Sequence, residues 1–168
     1  MHASRTAIAA LSLALAGCAD PVVPPPAPSA ARSSADAPVP FRGSLDGTEQ
    51  GTLIAPATVR MSAEWHGTAS HLGRYTVSTE GVIQLATGTA QLTLTFVAAN
   101  GDLLFAEATG LSAPTTDPDV HRITESARIT GGTGRFAGAT GSFTIVRLVR
   151  LSTGVSSGSI DGSISLAR

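Results

Sequence analysis

Alternation of apolar and polar side chains dominates this chain. From Thr89 to Val97, Ala90, Leu92, Leu94 and Phe96 share one parity, while Thr89, Gln91, Thr93 and Thr95 share the other. Successive side chains of a strand point to opposite faces, so such alternation predicts a strand with one face buried. Asn100-Gly101-Asp102 follows with the residues a hairpin turn needs, and Leu103, Phe105 and Leu111 continue the pattern on the return strand. Thr58 to His66 carries Val59, Met61, Ala63 and Trp65 on one side. His71 to Thr79, Val120 to Thr130, Ser142 to Ser152 and Ser157 to Leu166 read as further strands, and Arg42 to Ile54 as another, interrupted at Asp46-Gly47. Helical periodicity is nearly absent. Seven or eight strands at short intervals predict an all-β antiparallel sandwich or closed barrel, with Pro114 to Asp119 as its longest polar break.

The pattern changes before residue 41. Residues 1–17 form a short start carrying His2 and Arg5, then an apolar run of small residues, too short to span a bilayer as a helix and suited to a signal peptide. Leu15-Ala16-Gly17-Cys18 resembles the bacterial lipoprotein signal, in which the cysteine is acylated on sulfur and becomes the new N-terminus. Cys18 is the only cysteine, so no intramolecular disulfide is available and the domain must be held by packing. The lipoprotein resemblance, with Ala19 rather than Asp after the cysteine, implies export and anchoring to membrane lipid of the outer membrane. Residues 18–40 contain seven of the ten prolines, mixed with Ala and Ser, and read as an extended tether. The third segment, residues 41–168, is the folded domain, large enough for one core.

Composition removes one partner class. The eleven basic residues are all Arg, charged residues make up 14% of the chain, and net charge is −1. Nucleic acid would require a basic patch, and none is visible. A single Trp and a single Tyr also exclude the aromatic girdles of a membrane-spanning barrel.

Ile129 to Gly141 holds the densest motif. Gly132-x-Gly134-x-x-Ala137 spells a loose dinucleotide pattern, but the β-branched run Ser142 to Val149 follows where a helix would have to bind the pyrophosphate. A phosphate loop of the Walker type needs a lysine, which the chain lacks. Gly131-Gly132-Thr133-Gly134-Arg135-Phe136-Ala137-Gly138-Ala139-Thr140-Gly141 instead resembles the Gly-Gly-Thr/Ser-Gly-x-Phe-x-x-Ala-x-Gly signature of plant allene oxide cyclases and dirigent proteins. Uncharacterised bacterial relatives pair it with a turn like Asn100-Gly101-Asp102 and an early strand like His71 to Thr76. The resemblance implies an antiparallel eight-stranded barrel. Physically, Gly131, Gly132 and Gly134 would permit a tight connection, Gly138 and Gly141 a close strand start, and Phe136 would plug one end of the barrel.

Candidate chemistry is sparse. Gly154-Val155-Ser156-Ser157-Gly158 spells a nucleophile elbow but sits between two strands with no histidine after it, so it reads as a hairpin. His66, His71 and His121 lack metal-ligand spacing, and neither a metal nor a cofactor is expected. Three charges fall on apolar parities: Glu107 with Phe105 and Leu111, Glu125 with Ile123 and Ile129, and Arg147 with Phe143, Ile145 and Val149. In a barrel interior Arg147 would pair with a carboxylate as a structural tie or a binding or acid/base site, because an unpaired buried charge is costly. The leading expectation is a membrane-anchored, non-enzymatic binding or envelope-interaction barrel. The rivals are an enzyme acting on a hydrophobic small molecule in the lumen, and a module that forms homo-oligomers through an outer face bearing Val146 and Leu148.

Overall fold

The computed structural model describes residues 37–167. Eight antiparallel strands run β1 Val39–Ala55, β2 Thr58–Ala69, β3 Gly73–Gln84, β4 Thr89–Val97, β5 Leu103–Pro114, β6 Val120–Gly132, β7 Thr140–Arg150 and β8 Val155–Ser165. Each pairs with its sequence neighbour, and β1 closes on β8, giving an up-and-down barrel. The expected all-β barrel is therefore the observed fold. β1 begins at Val39, inside the stretch read as tether, and Asp46-Gly47 does not interrupt it. Val39 and Pro40 pair with Ile164 and Ser163, which fixes the start of β1 in the wall.

Register sets the barrel's width. The pairs Gly43–Ile160, Ile160–Ile145, Ile145–Glu125, Glu125–Gly110, Gly110–Ala90, Ala90–Ile83, Ile83–Val59 and Val59–Leu53 make one circuit of the wall. The circuit leaves β1 at Gly43 and returns to it at Leu53, a stagger of ten residues. Eight strands with such stagger tilt by ~35–45° and enclose a lumen that side chains can just fill or that can hold one small ligand.

The interior is filled unevenly. Turns 70–72, 98–102 and 133–139 lie at one end, with Phe41, Tyr75, Phe96, Leu104, Phe136, Phe143 and Ile164 buried beneath them. Phe41–Phe143, Tyr75–Phe96 and Phe96–Phe143 ring centroids stand 5.2, 5.4 and 5.9 Å apart in tilted and edge-on arrangements. Tyr75 donates its hydroxyl hydrogen to Ser44 O at 2.9 Å, which satisfies the one polar tip in that cluster. At the opposite end, among turns 56–57, 85–88, 115–119 and 151–154, the inward-facing Glu49, Val59, Ile83, Ala90, Ser112, His121 and Ile123 are only partly buried. Inward-facing side chains are sealed from solvent at the first end, the closed end, and keep partial access to it at the second, the open end.

One parity differs from the sequence reading. Ala106, Ala108 and Gly110 face the lumen from β5, whereas Glu107 and Leu111 are exposed on the outer wall and Phe105 is half-buried there. Between residues 106 and 110 this strand presents only small residues to the lumen, and a Cβ on Gly110 would come within 3.2 Å of Glu125 Cγ. The larger apolar residues therefore mark the outside of β5, reversing the usual cue.

Candidate functional site

The closed end is built by the glycine-rich segment. A β-bulge at Thr130–Gly131 shifts the β5–β6 register, with Gly131 at φ +135°, a conformation that side-chain-bearing residues rarely adopt. The chain then makes a short 3₁₀ turn, Gly134–Phe136, that buries Phe136 completely. Leu103 N donates to Thr133 Oγ1 at 2.9 Å and Arg135 N to Asp102 Oδ2 at 3.0 Å. Asn100 Nδ2 also donates to Asp102 Oδ2, at 2.7 Å, so the 98–102 turn and the glycine-rich corner form one hydrogen-bonded unit. Gly138 and Gly141 also have positive φ, while Gly132 packs against Phe136, where a Cβ would collide with the ring's own Cβ. These residues hold a corner together, and none presents a reactive group to the lumen.

Chemistry lies beyond the aromatic layer. Arg147, on β7, is 3% exposed and donates through Nε and Nη2 to Glu125 Oε1 at 3.3 and 2.9 Å. Its Nη1 donates to Ser156 Oγ at 3.0 Å and makes a close ion pair with Glu49. The guanidinium carbon lies 4.7 Å from the ring centroid of Trp65, a cation–π contact that fixes the plane of the charge. Gly158 stands opposite Arg147, and a Cβ there would lie 2.5 Å from Arg147 Cβ. A small residue on one strand thus makes room for a long one on the next.

Charge and burial are poorly matched in this cluster. Glu125 is fully buried, yet its Oε2 has no hydrogen-bond partner among the described protein atoms, and neither do Trp65 Nε1 or Thr79 Oγ1. Glu49 lies nearer the open end with its side chain 16% exposed. Burial raises the Glu49 carboxyl above its ordinary range and Glu125 adds to the rise, while the charge and hydrogen bond of Arg147 oppose it. Closer to the rim, Ser112 Oγ and His121 Nδ1 are 2.8 Å apart. Eight large apolar side chains are exposed among the described residues; at this end Leu53 closes the inward-facing row of β1 and Leu85 and Leu151 lie in turns, while Leu111, Leu148 and Val155 are on the outer face of the wall.

Of the charges singled out by parity, Glu125 and Arg147 meet in the lumen and Glu107 does not. Glu107 pairs with Arg128 at 3.1 Å on the outer wall, both side chains well exposed, in a shallow polar depression that also borders Arg60, Glu80 and Gln91. Glu49, Trp65 and Ser156 are members of the cluster that the sequence reading did not single out as a site. Glu49 was legible in principle, because it shares parity with Phe41 and Leu45. The histidines do not converge: His66 is exposed, His71 lies 3.2 Å from Pro40 O at the β2–β3 turn, and His121 stands at the mouth. Cys18 lies outside the described residues.

No family profile and no curated protein matches the sequence. Among solved structures, the barrel is similar to the pterocarpan synthase dirigent protein GePTS1, with a TM-score of 0.55 and 14% identity over 89% of this chain and 100% of that one. At that identity the likeness shows a shared fold, an eight-stranded antiparallel barrel of dirigent type.

Proposed function

We propose that the chain is an exported, lipid-anchored protein whose barrel binds a hydrophobic small molecule through its open end. The observation that carries this reading is the asymmetry of the lumen. Phe136 and the aromatic layer fill one end, while at the other the inward-facing Val59, Ile83, Ala90 and Ile123 keep partial access to solvent above a buried polar cluster. Apolar walls with a few fixed polar groups are the usual make-up of a small-molecule site. Trp65 is the only tryptophan and belongs to that cluster, so its emission reports directly on the lumen.

Gentle extraction of the full chain followed by native mass spectrometry should reveal a co-purifying small molecule. Titration of hydrophobic compounds should change Trp65 fluorescence saturably. A chain that carries nothing, and whose Trp65 emission ignores every apolar probe, would refute the binding reading. The anchor has its own test. Cells fed an alkynyl fatty acid should label the wild-type chain and not Cys18→Ser, and equal labelling of both would remove Cys18 as the attachment point.

One observation favours a catalytic version of the same site. Glu49 combines a raised carboxyl pKa with partial access from the mouth, the combination that an acid/base group requires. The dirigent-type neighbour is described as a pterocarpan synthase, which keeps chemistry within reach of this fold. Time-resolved mass spectrometry of the bound compound separates the two versions: an unchanged ligand supports binding alone, and product lost in Glu49→Gln supports catalysis.

A further inference from the structure

The cluster below the mouth is electrically unbalanced. Glu49 and Glu125 supply two carboxylates and Arg147 one guanidinium. Every donor position of Arg147 that reaches a carboxylate goes to Glu125 Oε1 or to Glu49, so Glu125 Oε2 stays unpartnered although the residue is fully buried. The ionisable groups facing Glu49 are Glu125 from β6 and Arg147 from β7, with His121 nearer the rim and engaged by Ser112. β2, β3 and β8 contribute Trp65, Thr79 and Ser156 at this depth, which carry no charge. An excess anion in such surroundings is costly unless neutralised. A proton on Glu49 is one way to remove the excess, in keeping with its raised pKa. A cation delivered by a ligand is another.

Above the carboxylates the inward-facing side chains are apolar apart from Ser112 and His121. Val59, Ile83, Ala90 and Ile123 line the mouth from four strands, and Leu53 and Leu85 stand on its lip. No cationic side chain of the described residues faces the lumen above Arg147 except His121. The arrangement is an anionic floor under a hydrocarbon collar.

We propose that the open end selects apolar molecules carrying a protonated amine, the ammonium held by Glu49 and the free oxygen of Glu125 and the hydrocarbon lying along the collar. This inference rests on the reading of the lumen as a small-molecule site and names the class of ligand. The ammonium supplies the positive charge that the two carboxylates and one guanidinium lack, which a neutral ligand of the same length does not.

The test compares decylamine, decanol and decanoate on the full chain, read by Trp65 fluorescence. Decylamine should bind about tenfold more tightly than decanol, with decanoate weakest, since one well-placed buried charge pair is worth at least that factor. Shortening the chain by one methylene should weaken each compound about fourfold. Glu49→Gln should erase the amine preference, and an unchanged far-ultraviolet circular dichroism spectrum certifies that the variant is folded. Equal binding of amine and alcohol, or an amine preference surviving in Glu49→Gln and Glu125→Gln alike, overturns the head-group assignment while the lumen reading stands. Failure of all three compounds to bind overturns both.

Discussion

Arg147 is held by everything around it: two carboxylates, a hydroxyl, an indole face and a glycine that gives it room. Its removal leaves two carboxylates facing each other in the lumen without a counter-charge. Breaking a buried pair from one side typically costs about 3–5 kcal/mol, so Arg147→Ala should lower stability in urea by that amount at neutral pH. The loss should shrink as the medium is acidified, because protonated carboxyls no longer need the guanidinium. Glu49 gives a second prediction with the sign fixed by its raised pKa. Its contribution to stability is fully present below the unfolded value of 4.5 and is lost as pH rises through the higher folded value. Thermal melts should therefore show the wild type losing ground to Glu49→Gln as pH rises from 4.5 towards neutrality. A constant difference across that range would mean that Glu49 titrates normally. Parity brought Glu125 and Arg147 out of the sequence because large apolar residues flank both on their own strands. Glu49 was obscured because Gly43, Gly47 and Gly51 occupy the inward positions around it, and glycines draw no apolar stripe.

Strands came through the sequence with their existence intact and their ends displaced. β4 was legible to the residue, since its inner face is uniformly large and apolar. β5 was inverted at the level of faces, because alanines and a glycine line the lumen while Phe105 and Leu111 point outward. A barrel of fixed girth must alternate small and large residues around its interior, and a strand assigned the small share loses its usual signature. The turns show how elements lock together. Gly134 adopts φ +51° and packs on the Asp102 carboxylate, where a Cβ would collide with both oxygens. Gly134→Ala should cost about 2 kcal/mol or more through strain and overlap. Asp102→Ala in the same chain should return part of that loss, and a strictly additive double mutant would show that the two turns are not coupled. At the open end, Asp119 accepts from Ser152 N and Oγ at 2.8 and 2.7 Å and from Arg150 at 2.9 Å, tying the 115–119 loop to the 151–154 turn. The Ser152 hydrogen bonds, with Arg150 in support, hold the Asp119 carboxyl below its ordinary value of 3.8. The tie is thus present above that value and lost as pH falls through the lower folded one, so amide exchange at Ser152 should accelerate in acid and in Asp119→Ala at any pH.

At the scale of the whole barrel, the proposed function puts stability and recognition at opposite ends. The chain enters the wall at Val39, on the closed end, so whatever precedes β1 is attached there and the mouth lies at the other end. The closed end buries a run of aromatic contacts from Tyr75 through Phe96 and Phe143 to Phe41, with Phe136 buried at the corner. The mouth leaves Leu53 and Leu85 63% and 56% exposed, so they contribute little to the core. Substitution at the two ends should therefore separate two quantities that usually change together. Phe136→Ala removes a fully buried aromatic ring from a layer that cannot collapse around the gap, and should cost about 3–5 kcal/mol. Decanol affinity should then be retained at temperatures where the variant is folded. Leu53→Ser with Leu85→Ser should leave stability within about 0.5 kcal/mol per site, as exposed substitutions do, while removing much of the collar's apolar contact. Affinity for apolar probes should fall several-fold in that double variant with no change in the urea midpoint. If the lip substitutions unfold the barrel instead, the mouth is part of the core; if they leave binding untouched, the ligand does not enter past Leu53 and Leu85.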